Sequence, residues 1–279
     1  MATAALATGL HLGSGGSAGA RAAALLIVGV AGIAAGMINA VVGSGSLFTF
    51  PTLLALGVPP IAANVSNNIG LVPGNVAAAW GYRRELAGQR RRTTTLVPAS
   101  LLGAVVGAIA LLTLPASAFA DVVPVLIAIA VVLVFVQPRI QARLRRRTAE
   151  GGEPATAVDG DRVSPLLIGG VFLAGVYGGY FGAAQGVLLI GLLGSLVVET
   201  LQRLNGVKNV LALVVNATAA VLFAVFASAQ IRWSVVLVIA IGSTIGGVLG
   251  ARVGRRLSPT VLRVVIAVVG VAAIVKLLA

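Results

Sequence analysis

With 279 residues, of which 58% are hydrophobic and only 10% charged, and a mean hydropathy of +1.06, the chain cannot cover a globular surface with polar groups. This excludes a soluble protein and predicts an all-α polytopic membrane protein, because backbone amides in lipid must be paired within their own segment. The net charge of +13 is no nucleic-acid signature, since the arginines cluster in short loops between apolar spans without aromatic interleaving, and the absence of cysteine removes disulfides, thiolate metal sites and thiol catalysis.

Residues 1–21 are rich in Gly, Ala and Ser, hold the only histidine, His11, and read as a disordered N-terminal tail. A cleaved signal peptide fits less well: no positive charge precedes Arg21, and the apolar run from Ala22 continues into a glycine motif that recurs later. Residues 22–138 form a first membrane repeat with apolar segments at about 22–42, 46–57, 61–82, 94–113 and 121–137. Residues 139–163 are polar and charged, contain Gly151, Gly152, Pro154 and Gly160, and read as a flexible cytoplasmic linker. Residues 164–279 form a second membrane repeat, with segments at about 165–181, 186–198, 202–228, 233–251 and 260–278.

The second segment of each repeat is short, about 20 Å of helix, and does not comfortably span a bilayer alone. Each follows a glycine-rich break, Gly43-Ser44-Gly45-Ser46 and Gly182-Ala183-Ala184-Gln185-Gly186. Short broken helices of this kind line cavities in transporters.

The halves are duplicates. Asn64, Asn68 and Asn75 recur as Asn205, Asn209 and Asn216 at one interval of 141 residues, which Gly45 and Gly186 share. Gly36/Gly175 and Gly43/Gly182 are 139 apart, and Ser100, Gly103 and Gly107 meet Ser243, Gly246 and Gly250 at 143. Arginine placement predicts that the repeats are inverted. Arg83, Arg84, Arg90, Arg91 and Arg92 crowd one loop of the first half, whereas the equivalent loop of the second half carries only Arg232 and the next connection carries Arg252, Arg255 and Arg256. The expected fold is therefore two homologous, inverted-topology helical repeats with the site between them.

The run G-x-x-N-A-V-V-G-S-G from Gly36 to Gly45, then Pro59-Pro60 and A-N-V-S-N-N-I from Ala63 to Ile69, resembles the sulfite exporter TauE/SafE family of membrane permeases. G-V-Y-G-G-Y-F-G from Gly175 to Gly182 and L-N-G-V-K-N-V from Leu204 to Val210 extend the resemblance over roughly residues 25–278. It implies transport of sulfite, an organosulfonate or a related small anion across the cell membrane by a multi-pass permease of about eight spans. The second half departs from the first where Ala183, Ala184 and Gln185 replace Ser44, Gly45 and Ser46, and where Lys208 replaces Asn67, so the halves contribute unequally.

A helix restarting inside the membrane offers unpaired amides and a positive dipole end to an anion. The candidate substrate-binding residues are Asn39, Ser44, Gly45, Ser46, Asn64, Asn68 and Asn75 in the first half, and Gln185, Gly186, Asn205, Lys208, Asn209 and Asn216 in the second. The asparagines supply donors and acceptors without charge, and Lys208 places a charge in an apolar segment, where charge is expensive. Against this stand the packing readings: asparagine and serine as interhelical glue, Lys208 snorkelling to the interface, and Gly103, Gly107, Gly246 and Gly250 as helix-packing faces.

No catalytic cluster and no phosphate loop is present, so an enzyme or an ATP-driven pump is not expected, nor is a cofactor or a metal. Expected partners are a small anionic substrate and the lipid bilayer, not nucleic acid, with a homodimer as an open alternative. A channel, a non-transporting membrane subunit or a carrier of a non-sulfur organic acid remain the competing functions. The coupling ion stays open, because the only acids outside loops and linker, Asp121 and Glu199, sit at segment ends.

Overall fold

The computed structural model describes residues 18–149 and 163–253. Among these it holds nine α-helices, one 3-10 turn and no strand: α1 Ala18–Val41, α2 Ser46–Ala55, α3 Pro60–Gly81, α4 Arg90–Thr113, α5 Ala116–Ala149, α6 Pro165–Tyr180, α7 Gln185–Leu196, α8 Leu201–Phe226, the turn Ser228–Gln230 and α9 Trp233–Val253. The all-helical expectation holds. The N-terminal tail up to residue 17, residues 150–162 and the segment expected at 260–278 lie outside the described residues, while residues 139–149 of the segment read as linker continue α5 as helix.

Local signals set the ends. Pro60 and Pro165 occupy first-turn positions whose amides have no helical partner, and Ser164 Oγ and Thr200 Oγ1 cap α6 and α8 by accepting from Leu167 N and Arg203 N. α1 and α6 stop at matching glycines. Gly43 (φ +88°) and Gly182 (φ +77°) adopt the left-handed conformation, and their amides donate to the carbonyls of Ile38 and Tyr177 at 2.9 and 3.0 Å.

α1, α4, α5 up to Val136, α8 and α9 are each long and apolar enough to cross a membrane, whereas α2, α6 and α7 are shorter apolar helices. α3 has 22 residues but spends four positions on Asn64, Asn67, Asn68 and Asn75. Large apolar side chains such as Leu26, Val30, Val106, Leu173, Val221 and Leu237 are exposed on the outer faces, as lipid contact requires.

The halves are interleaved. α4 packs on α6 and α8 of the other repeat, and α9 packs on α1 and α3 in the corresponding way. Lipid tails give no hydrophobic reward for helix association, so these contacts depend on close approach of backbones. Glycine provides it: a Cβ on Gly103 or Gly107 would overlap the carbonyls of Phe172 or Val176 on α6, and one on Gly246 or Gly250 would overlap Ile33 or Met37 on α1. Ile33 and Met37 are the duplicates of Phe172 and Val176, so both repeats use one packing scheme. α2 and α7 tuck inside, with Phe50 of α2 edge-on to Phe181 after α6, ring centroids 5.1 Å apart.

Candidate transport site at the two helix breaks

The two glycine breaks touch. The amide of Gly186, in the first turn of α7, donates to the carbonyl of Gly43 at 3.0 Å, and a Cβ on either glycine would overlap the backbone of the other. The duplicated glycines therefore bring the interrupted helices of both repeats to one place.

Around this crossing, offsets of four and seven residues put Asn64, Asn68 and Asn75 on one stripe of α3, and Asn205, Asn209 and Asn216 on one stripe of α8. The stripes meet where Asn68 Nδ2 donates to Asn216 Oδ1 at 3.0 Å. Each stripe also holds the broken helix of the other repeat. Asn64 Nδ2 donates to the carbonyl of Tyr180 at the end of α6, 3.0 Å away. In the reciprocal contact Asn209 Nδ2 donates to the carbonyl of Ala40 near the end of α1, at 3.3 Å.

Lys208 reinforces that second contact. It is 0% exposed, and its Nζ donates to the carbonyls of Asn39 at 2.9 Å and Ala40 at 3.3 Å. An ammonium at the C-terminal end of a helix is favoured by the helix dipole. Lys208 forms no ion pair among the described residues; the carboxylate of Glu199 is engaged elsewhere, with Arg203 at 2.7 Å and Arg92 at 3.7 Å. Snorkelling is not what the side chain does, since it turns inward onto α1.

The loop after α1 is held from its own helix. Asn39 Oδ1 accepts from the amide of Gly45 at 2.7 Å, and Asn39 Nδ2 donates to Asn75 Oδ1 at 3.3 Å. Ser46 Oγ accepts from Asn67 Nδ2 at 3.1 Å, and Asn67 Oδ1 accepts from Thr49 Oγ1. In the second half Gln185 lies against Gly178 of α6, where a Cβ would run into its carboxamide. All thirteen candidates are buried or half-buried.

Five of them keep a buried polar atom without a partner among the described residues: Ser44 Oγ, Asn68 Oδ1, Asn75 Nδ2, Gln185 Nε2 and Asn205 Oδ1. Such groups are costly in an apolar interior, and a polar ligand would satisfy them. The thirteen candidates do not include Asn67 and Thr49, which fix α2 against α3, nor the buried Ser100 and Ser243, which stand out in the sequence only as matched repeat positions. The three-residue spacing of Ser46 and Thr49 on one face of α2 was the available signal.

The sequence profile of the sulfite exporter TauE/SafE family matches residues 27–277. The chain belongs to that family. Similar proteins include the "Probable membrane transporter protein" of Haemophilus influenzae, 30% identical over 243 residues that cover 86% of this chain and 88% of that protein. The "Probable membrane transporter protein YfcA" of Escherichia coli K12 is 24% identical over 247 residues, covering 88% and 86%, and the "Probable membrane transporter protein ORF9" of a Sinorhizobium species is 23% identical over 252 residues, covering 90% of each. No solved structure gives a significant match. This TauE/SafE chain is thus a multi-pass membrane transporter, and its two glycine breaks and both asparagine stripes fall inside the matched range.

Proposed function

We propose that the protein is a non-enzymatic secondary carrier of a small anion, with sulfite, an organosulfonate or a related sulfur-containing anion as its substrate class. The observation that carries this reading is Lys208, whose amino group is removed from solvent beside the meeting point of the two breaks, with carbonyl partners and no ion pair among the described residues. A buried cation is costly alone, and an anion brought next to it is correspondingly stabilised. Ser44 Oγ, Asn75 Nδ2 and Gln185 Nε2 add neutral donors that replace the hydration of an oxyanion while leaving its binding reversible. The family description, which names sulfite export, supports the sulfur-anion class.

Alternating access is the mechanism this reading implies, with repeat 1 (22–138) and repeat 2 (164–279) in inverted orientation in the cell membrane and residues 139–163 joining them on the cytoplasmic side. The reciprocal packing of α4 on α6 and of α9 on α1 supports two equivalent halves that can rock about a shared centre.

Uptake of radiolabelled sulfite into proteoliposomes, with sulfate, thiosulfate, sulfoacetate and acetate as competitors and imposed pH and voltage gradients, tests it. Saturable sulfite flux competed by other sulfur anions is expected. Flux competed only by acetate moves the substrate to organic acids, non-saturable flux replaces the carrier with a channel, and no flux from folded protein overturns the substrate class.

A further inference from the structure

A second charged feature lies away from the helix breaks, at the end of the bundle where α3 and α9 finish side by side. There Gly81 and Ala251 cross so closely that a Cβ on the glycine would overlap the alanine side chain. Beyond the crossing opens a cleft of about 420 Å³, floored by Ala77, Val248 and Ala251 and rimmed by Trp80, Arg83, Arg84, Glu85 and Arg252. Three guanidiniums face one carboxylate in this lining. Neither Arg84 nor Arg252 has an ion-pair partner among the described residues.

Three observations say what such a cleft takes. The first is its position on the lateral surface: Trp80 is 68% exposed at the end of α3. The second is that both helices lead apolar stripes into the arginines. On α3 the exposed Pro73, Val76 and Trp80 follow one another at three- and four-residue spacing and continue into Arg83 and Arg84; on α9 the exposed Ile241, Ile245 and Leu249 continue into Arg252. The third is the way Arg83 is held. Its Nη1 donates to the carbonyl of Trp80 at 3.0 Å, and its Cζ lies 4.9 Å from the indole centroid, fixing a cation over an aromatic ring at the boundary between apolar stripe and charge.

We propose that this cleft binds the phosphate headgroup of an anionic phospholipid, with the acyl chains lying along the α3 and α9 stripes. Guanidinium forks recognise phosphate oxygens, and basic pockets between membrane helices on the cytoplasmic side hold acidic headgroups. A free phosphate shares the headgroup chemistry, but the stripes give it nothing to contact; the lipid uses both parts. The site is separate from the helix breaks and does not depend on the identity of the transported anion.

The test is native mass spectrometry of the purified full-length protein with phosphatidylglycerol and phosphatidylcholine of identical acyl chains, with inorganic phosphate and glycerol phosphate as soluble competitors. Retention of phosphatidylglycerol over phosphatidylcholine is expected. Retention should fall by roughly thirtyfold in the Arg84→Gln/Arg252→Gln double variant, fall in Trp80→Ala, and stay unchanged in Arg139→Gln, an exposed arginine outside the cleft. Equal retention of the two lipids, or undiminished retention in the double variant, overturns the proposal. Displacement of the lipid by millimolar inorganic phosphate also overturns it and reassigns the cleft to a free anion. Should the double variant fail to purify as a single species, the wild-type protein decides: retention lost in high salt supports the headgroup site, and salt-independent retention rejects it.

Discussion

The carbonyl of Gly43 accepts a hydrogen bond from the amide of Gly186, 3.0 Å away, and so the interrupted helix of one repeat is joined to that of the other through main chain alone. No side chain fits between them, and Gly43 also holds a left-handed backbone with φ +88°. Gly43→Ala is predicted to combine overlap with backbone strain, costing about 1–3 kcal/mol. Gly186→Ala suffers the overlap alone. Both variants should show lowered melting temperatures in detergent and lose flux in proteoliposomes, with Gly43→Ala the less stable. Wild-type melting in both would mean that the breaks do not touch.

Lys208→Asn restores the residue that the first repeat carries at Asn67 and removes the buried charge. The expected outcome is a folded, inserted protein with anion flux reduced by roughly a hundredfold or more, the order that loss of one partner of a buried charge contact carries. Part of any stability loss, about 1.5–3 kcal/mol, reflects the charged hydrogen bonds to the α1 carbonyls. Uptake beside circular dichroism melting separates the two effects. Undiminished flux would remove Lys208 from the transport site.

The contact between Asn68 and Asn216 ties the two asparagine stripes together. A double-mutant cycle with Asn68→Ala and Asn216→Ala is predicted to give a coupling energy of about 0.5–3 kcal/mol in unfolding, and each single variant should impair flux. Additive effects would place the two side chains apart in the functional protein.

Gly103→Leu and Gly246→Leu probe equivalent crossings in opposite repeats. Overpacking costs typically about 1–3 kcal/mol, and here the neighbour is backbone rather than a flexible side chain, so both should reach at least that range. Thermal unfolding in detergent checks this. A loss confined to one repeat would show that the halves do not share a packing scheme.

Much of this architecture was legible because duplication repeats the same message twice. The asparagine stripes, the glycine breaks and the glycine packing faces all came from matching positions, and polar residues in apolar helices are too expensive to be casual. The partners of those residues were not legible. Nothing in the spacing says that Asn64 reaches Tyr180 or that Lys208 reaches Asn39, because these contacts depend on which helices of the two halves are neighbours. The Asn67, Ser46 and Thr49 cluster was hidden for a different reason: its second-half counterpart for Asn67 is lysine, so comparing the repeats draws attention away from it.

The exchange of fourth helices between the halves also bears on how the chain is made. When α1 to α5 have entered the bilayer, the glycine grooves of α4 face lipid, since their partner α6 is not yet synthesised, and α1 must likewise wait for α9. The first half therefore has no finished structure of its own during synthesis. A chain cut between residues 150 and 162 is expected to accumulate only when both fragments are produced in the same membrane, each acting as the assembly template for the other.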